Sequence, residues 1–462
     1  MAKRSPGTVS VITVPLKTEI WQEDVLNKRM ELYRNVYNTM LNKRLKDLSK
    51  IWDLPEYDEA ITKIRRVCSI SNPVEMEKEK KSPSFKRASD TKNAILSERS
   101  FTEFGFNSIA NEEARYFREN IPSSTVNLTI ARPMWAAFEE YLYGGGRKVH
   151  PKNPGTFNSI ASDGKSGIRL VNCEGETVYC RHGKEDLTLL FGTRGNKVLE
   201  MPLLIDPKNR YMAEMLTRSI HIIRIVRKKV KGRYKYSVQL TVDGAPAVKK
   251  HKNGKPIHKI KEAPLGIYID TRYVTVAHKN GVKTFDLSTD DSTECEIVRL
   301  RAYIHASTVV SNPENYNPDG TLVKSPVKNG QKLPLEWNYS NGCKKAFDRI
   351  ADLNRKAAEN RKIRANIIAN EILSMGNSIV VNDFTFKEPG KKQTALTGTP
   401  ASIRKSIGQN APAQILTILD RKLTSAGFDT IKQVEIKVNT SKENYREDSA
   451  KDLYSAACDQ VK

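Results

Sequence analysis

The side chains with the plainest chemistry in this sequence lie between His221 and Leu240. The run reads His221-Ile-Ile-Arg-Ile-Val-Arg-Lys-Lys-Val-Lys-Gly-Arg-Tyr-Lys-Tyr-Ser-Val-Gln-Leu240, two β-forming stretches joined near Lys231-Gly232. Arg224, Arg227, Lys228, Lys229, Arg233, Tyr234 and Tyr236 interleave charge with aromatic rings. Cationic groups pair with phosphate oxygens and rings stack on bases, the two contacts a nucleic acid offers. The alternative is a solvated hairpin face without a ligand. A second basic stretch, Lys344 to Ser374, carries Phe347, Ile350, Leu353, Ala357, Ile363 and Ile367 at near-helical spacing. Arg349, Arg355, Lys356, Arg361, Lys362 and Arg364 fill much of the remainder. Such a face is often just solvated, and beside a nucleic-acid-binding fold the alternative is contact with a heteroduplex backbone.

Three further segments complete the set: Pro264-Leu-Gly-Ile-Tyr-Ile-Asp270, Ile379-Val-Val-Asn-Asp-Phe384 and Lys451-Asp-Leu-Tyr-Ser-Ala-Ala457. Together they resemble the three split motifs of a RuvC-like nuclease domain. The resemblance is to the transposon-encoded RNA-guided nuclease TnpB and its relatives, the compact type V CRISPR effectors. In that family the first motif carries Asp, the second is an apolar strand ending in Glu, and the third begins with Asp. Here Tyr268 stands at the first position and Asn382 at the second, and only Asp452 keeps a carboxylate. The segments Trp135–Gly144, Gly155–Ser159, Gly167–Arg169, Ser311–Gly320 and Ser406–Pro412 resemble other parts of the family in the same order, over about residues 130 to 462. The pattern resembles that of the nuclease-dead TnpB-like repressors (TldR).

What the lost carboxylates imply follows from metal chemistry. Two-metal phosphodiester cleavage needs several anionic oxygens converging on the ions, and magnesium wants hard oxygen ligands in near-octahedral geometry. A phenol is neutral at physiological pH and a carboxamide carries no charge. Asp270, two residues beyond Tyr268, faces the same side of a strand roughly 6–7 Å further along, a poor substitute ligand. Asp383 points to the opposite face from Asn382. No metal site is expected, and magnesium is not expected to act in catalysis. Tyr268, where an engineered knock-out would carry Ala or Asn, marks natural divergence.

Charge agrees with a polyanionic partner. The chain holds 77 Lys and Arg against 53 Asp and Glu, a formal +24 over 462 residues, which favours phosphate binding that weakens as salt rises. No apolar run is long enough to cross a bilayer, and Met1-Ala-Lys-Arg-Ser-Pro6 lacks the apolar core of a secretion signal. No membrane partner is expected. The six cysteines, Cys68, Cys173, Cys180, Cys295, Cys343 and Cys458, include no Cys-x-x-Cys pair and read as reduced structural thiols. Many family members carry a zinc insert before the third motif, whereas Val438–Asp448 offers no such ligands.

Several elements must position these residues. Thr8 to Leu16 alternates as a strand. From Trp21 to Trp52 an apolar stripe of Leu26, Met30, Tyr33, Val36 and Met40 reads as a helix with an ordinary core face. Ile70 to Asp90, charged and rich in Ser and Pro, reads as an exposed linker, and helix resumes over Thr91–Asn120. Gly376 is expected to stop the long basic helix before the strand Ile379–Val381.

With the resemblance, these give an α/β multidomain, bilobed chain. It comprises a β-barrel-like wedge domain, a helical recognition lobe and a RuvC/RNase H-like domain with a mixed sheet. The expected boundaries are 1–20 for a first wedge segment, 21–129 for the recognition lobe, 130–243 for a second wedge segment, 244–263 for a basic linker and 264–462 for the degenerate RuvC-like domain. The implied activity is RNA-guided, sequence-specific DNA binding without cleavage, with transcriptional repression as its result. Its partners are a guide RNA and double-stranded target DNA bearing a short flanking motif, in the nucleoid-associated cytoplasm of a prokaryote. Beyond the guide RNA no cofactor is implied. The alternatives are a nuclease-deficient type V CRISPR effector, an active endonuclease with a metal site relocated to Asp270 and Asp452, and a general RNA-binding chaperone.

Overall fold

Alternation at the start of the chain becomes strand β1 (Val9–Pro15), which buries Ser10, Ile12 and Val14 and exposes the residues between them. The structure is a computed structural model. It describes residues 9–143, 146–192, 198–251, 253–288, 292–328, 331–332, 335–383, 400–436, 438 and 443–461. The opening residues through Thr8, and Gly144, Phe384 and residues 439–442 of the motifs quoted above, lie outside the described residues. The chain forms two compact units: Met1–Lys228 with Tyr234–Ala247, and Lys229–Arg233 with Val248–Lys462.

In the first unit β1 leads into α1 (Ile20–Trp52), whose stripe of Leu26, Met30, Tyr33, Val36 and Met40 is fully buried. There follow α2 (Pro55–Cys68), α3 (Pro73–Lys80), α4 (Pro83–Glu98), α5 (Glu103–Ala114), α6 (Ser123–Val126) and α7 (Arg132–Tyr143). Helices α3 and α4 occupy the stretch expected to be a linker. Asn72 and Ser82 each accept a bond from a backbone amide of the first turn, and Pro73 and Pro83 preset the first helical position. Cap plus Pro starts a helix even where few apolar residues follow. The stretch is polar because α3 buries nothing.

The same unit holds β2 (Ser159–Ser162), β3 (Ile168–Val171), β4 (Thr188–Phe191), β5 (Leu199–Pro202), α8 (Arg210–Leu216), β6 (Ile220–Val230) and β7 (Arg233–Asp243). One sheet runs β1-β7-β6-β2 and another β3-β4-β5. An isolated bridge, Leu16 to Leu203, ties the end of β1 to the chain leaving β5. Between β2 and β3 no ladder forms among the described residues. Gly164 (φ 80°) and Gly167 (φ 76°), in backbone conformations that favour glycine, turn the chain there. The expected barrel-like wedge is therefore two open sheets, not a closed barrel. The β6–β7 turn does fall at Lys231-Gly232, both with positive φ (48° and 80°), the geometry of a tight two-residue hairpin.

The second unit is built on β8 (Pro264–Ile269), β9 (Tyr273–His278), β10 (Gly281–Asp286), α9 (Ser292–Ser311) and the two-residue strands β11 (Val327–Lys328) and β12 (Gln331–Lys332). It continues with α10 (Asn341–Met375), β13 (Ser378–Asn382), α11 (Pro400–Asn410), α12 (Pro412–Ser425), β14 (Lys432–Val434) and α13 (Tyr445–Val461). Its mixed sheet has the order β10-β9-β8-β13-β14, antiparallel from β10 to β8 and parallel from β8 to β14. Central strands buried on both faces explain the unbroken apolar runs. Leu265, Ile267, Ile379 and Val381 pack with Ile368, Ile372, Ile415 and Leu419 of α10 and α12. Tyr268 and Val380 pack with Ala450, Leu453 and Ala457 of α13. Gly266 is required on that side, since a Cβ there would collide with the backbone of Ala450 and Tyr454. Gly376 ends α10 in extended backbone, and a side chain there would strike the Ala263 carbonyl.

The cysteines divide in a way the sequence did not anticipate. Cys343 is buried, while Cys68, Cys173 and Cys295 are exposed and so are not core thiols. No helix among the described residues is long and apolar enough to cross a membrane.

Candidate functional site

The end of the mixed sheet and the start of α13 bring together Tyr268, Asp270, Asn382, Tyr445 and Arg446. Tyr268 on β8 is buried, and its ring meets Tyr445 of α13 edge-on at 6.1 Å. Burial, then the charge of Asp270 and the ring of Tyr445, push its phenol far above the ordinary tyrosine value, so it stays neutral. Asn382, last residue of β13, accepts from the Ile269 backbone N–H at 2.7 Å and donates to the Ile269 carbonyl at 3.1 Å. Its amide continues the β8–β13 ladder past the last backbone pair, Val381 with Ile267. A carboxamide can do this, whereas an ionised carboxylate cannot donate to a carbonyl.

Asp270 is buried and its oxygens are occupied. Oδ1 accepts from the Arg272 and Tyr273 backbone amides, each at 2.7 Å, which fixes the turn into β9. Oδ2 accepts from Nε of Arg446 at 2.7 Å. The Arg446 guanidinium lies 4.5 Å from the Tyr273 ring centre and 4.7 Å from that of Tyr445, a cation held between two π faces. Burial alone would pull this guanidinium down, and its bond to Asp270 reverses that and raises it. Asp452 does not join them. It is exposed on α13, one residue before the buried Leu453 that faces the sheet. Of the three positions read from the motifs, Tyr268 and Asn382 are buried and Asp452 is exposed.

The hairpin cations divide between its two faces. Arg224, Lys228 and Arg233 are exposed and Tyr234 is half-buried. Arg227, in contrast, is 3% exposed and bonds Asn158 at 3.0 Å, Asn27 at 2.8 Å and Glu31 at 3.1 Å beneath the Tyr234 ring. Tyr236 is 4% exposed and its hydroxyl donates to Asn27 at 2.6 Å. Neither can be the phosphate or base contact expected of it. Strand alternation sends both inward, and the sequence shows a polar α1 residue only as one more polar residue. Lys229 pairs with Asp348. On α10, Arg355 is held by Asp352 and Glu359, and Arg364 donates to the Asp286 and Ser288 carbonyls. Arg361 is half-buried at the edge of a hollow between helices.

Arg446 was missed by sequence reasoning. It lies 176 residues from Asp270, and no local spacing reports that contact. The Asn27–Glu31 pair was missed as well, although its four-residue helical spacing on the α1 face was readable.

No family model matches the chain, and no curated protein matches it. Among solved structures, the Cas12f1–sgRNA–target DNA complex is similar over 93% of this chain and 89% of that one, at 10% identity and a TM-score of 0.43. CasPhi-2 (Cas12j) bound to crRNA is similar over 99% and 98%, at 11% identity and a TM-score of 0.28. Alicyclobacillus acidoterrestris C2c1 in complex with single-guide RNA is similar over 90% and 64%, at 8% identity and a TM-score of 0.29. At these identities and TM-scores the likeness assigns neither a family nor a function.

Proposed function

We propose that this protein binds a guide RNA, uses it to occupy a matching double-stranded DNA site, and does not cut. It is read as a nuclease-dead relative of TnpB whose bound complex represses transcription by blocking polymerase. The observation that carries the reading is the pair of internal bonds at the end of the mixed sheet. Asn382 is spent on the Ile269 backbone, and Asp270 is spent on a turn and on Arg446. A resident guanidinium lies against the carboxylate that the relocated-site alternative needs as a metal ligand. That sheet, with three antiparallel strands continued by two parallel ones, supports an RNase H-like core. The formal charge of +24 supports polyanion binding. Base pairing with the guide would read the sequence, while the protein reads duplex shape and a short flanking motif.

The test is a gel shift and a cleavage assay on one sample of protein, co-purified RNA, magnesium and matched DNA. Matched DNA is expected to shift more strongly than mismatched DNA and to remain full length. Cleavage abolished by Asp270→Ala would establish the relocated metal site instead. Equal shifts of matched and mismatched DNA would indicate a general nucleic-acid binder.

A further inference from the structure

A hollow of about 410 Å³ opens in the second unit between α9, α10 and the α11–α12 corner. Its depth is written into α10. Ala357 and Ala365 stand on one helical face with Asn354, Arg361 and Ile368, and their missing side chains leave the space. The floor is apolar: Leu287, Ile297, Ile368 and Ile415 are each 5% exposed or less. The rim is polar, with the amides of Asn360, Gln409 and Asn410 and the guanidinium of Arg361. Asn410 uses its Nδ2 on the Thr271 carbonyl at 2.8 Å, which fixes the amide in place. Neighbouring Arg364 is spent on two backbone carbonyls, so Arg361 is the cation placed to meet a ligand. Glu294 on the α9 wall is held loosely by Lys405 at 3.8 Å.

We propose that this hollow holds one unpaired nucleotide. The inference rests on the nucleic-acid reading above for the nucleotide's source and adds a site to it. Ligand sites of a few hundred Å³ with apolar walls and a few polar groups suit a flat heterocycle. Amide side chains offer a donor and an acceptor side by side, the pattern on the edge of a base. Glu294 can accept from a base amino group, and a guanidinium meets a phosphate with two parallel bonds. A free inorganic anion would leave the floor unused and face Glu294. A purely apolar ligand would make no use of the Asn360 and Gln409 amides or of Arg361. The nucleotide comes either from a bound strand, with its base turned out of the stack, or from solution.

Two measurements on the full chain separate these sources. In the first, protein with its co-purified RNA is irradiated with ultraviolet light, and the cross-linked residues are mapped by mass spectrometry. In the second, AMP and CMP are titrated into RNA-free protein by calorimetry. A strand source places cross-links on the wall residues of α10 or on Gly408–Asn410. Arg361→Ala and the cavity-filling Ala357→Phe then cut that yield about ten-fold, the scale of one stacked base, while total RNA affinity stays within about two-fold. A solution source gives saturable AMP or CMP binding that both variants abolish. Should Ala357→Phe fail to fold, as a melt would reveal, Asn360→Ala takes its place. RNA binding without either signal overturns this site and leaves the proposed function standing. Absence of RNA binding overturns the function, and the AMP and CMP titrations then decide the site alone.

Discussion

Asn382 makes the sharpest residue-scale case, because its role depends on one proton donor. Asn382→Asp keeps the shape and loses the donor to Ile269, leaving a buried carbonyl facing a carboxylate. The expected cost is about 1–3 kcal/mol, the range for an unsatisfied buried polar group. The deficit should shrink as pH falls, because the introduced carboxyl regains an O–H donor once it is protonated. A melt series across pH checks both the size and the sign. Asn382→Asp as stable as the wild type at neutral pH would mean the amide bond is dispensable. Arg446 calls for a cycle. Arg446→Gln should lower the melting temperature, and the loss should be smaller in a background that already carries Asp270→Asn. A coupling energy of about 0.5–3 kcal/mol is expected for groups in one network, and additive effects would show that the two do not act together.

At the scale of the element, the hairpin shows how one strand serves two purposes. Its inward residues Arg227 and Tyr236 lock β6 and β7 onto α1 through Asn27 and Glu31. Its outward residues Arg224, Lys228 and Arg233 remain at the surface. Two kinds of variant should therefore separate cleanly. Arg227→Ala is expected to destabilise the fold, because it removes the buried guanidinium whose bonds to Asn27 and Glu31, beside that to Asn158, tie β6 to α1. Arg224→Ala and Arg233→Ala should leave the melting temperature unchanged. Each should reduce the slope of log K against log[salt] by about 0.7–0.9 if it meets a phosphate. Titrations of RNA at several salt concentrations, beside thermal melts, read both. An unchanged slope in the double variant would make the outer face a solvated one.

At the scale of the whole molecule, the net charge of +24 includes a cluster of cations around His258. His258, exposed at the surface, sits below the ordinary histidine value because partial desolvation, then Lys422, Lys249 and His251, disfavour its charged form. A phosphate backbone over these cations would supply the opposite sign and raise it. Binding would then take up a proton, so RNA affinity should rise as pH falls from about 8 to about 6, through the histidine range. His258→Gln should remove most of that dependence. An affinity flat with pH in the wild type would place the RNA away from this cluster.

Much of this was legible in the sequence. The strand at Val9–Pro15, the α1 stripe, the hairpin turn at Lys231-Gly232 and the apolar strands β8 and β13 all announce themselves through periodicity or turn chemistry, which are local. Helices α3 and α4 were equally local, marked by Asn72-Pro73 and Ser82-Pro83, and were obscured by their polar composition. Residue identity, which needs no fold, raised the expectation that Tyr268 and Asn382 stand at carboxylate positions of the resembled motifs. Only the tertiary structure decided what those residues do instead. That Asn382 closes a ladder, that Arg446 reaches Asp270, that Arg227 faces Glu31 and that Asp452 points outward are all contacts or directions set between distant elements. Spacing along the chain fixes which face of a strand or helix a side chain occupies. What that face meets is fixed by packing.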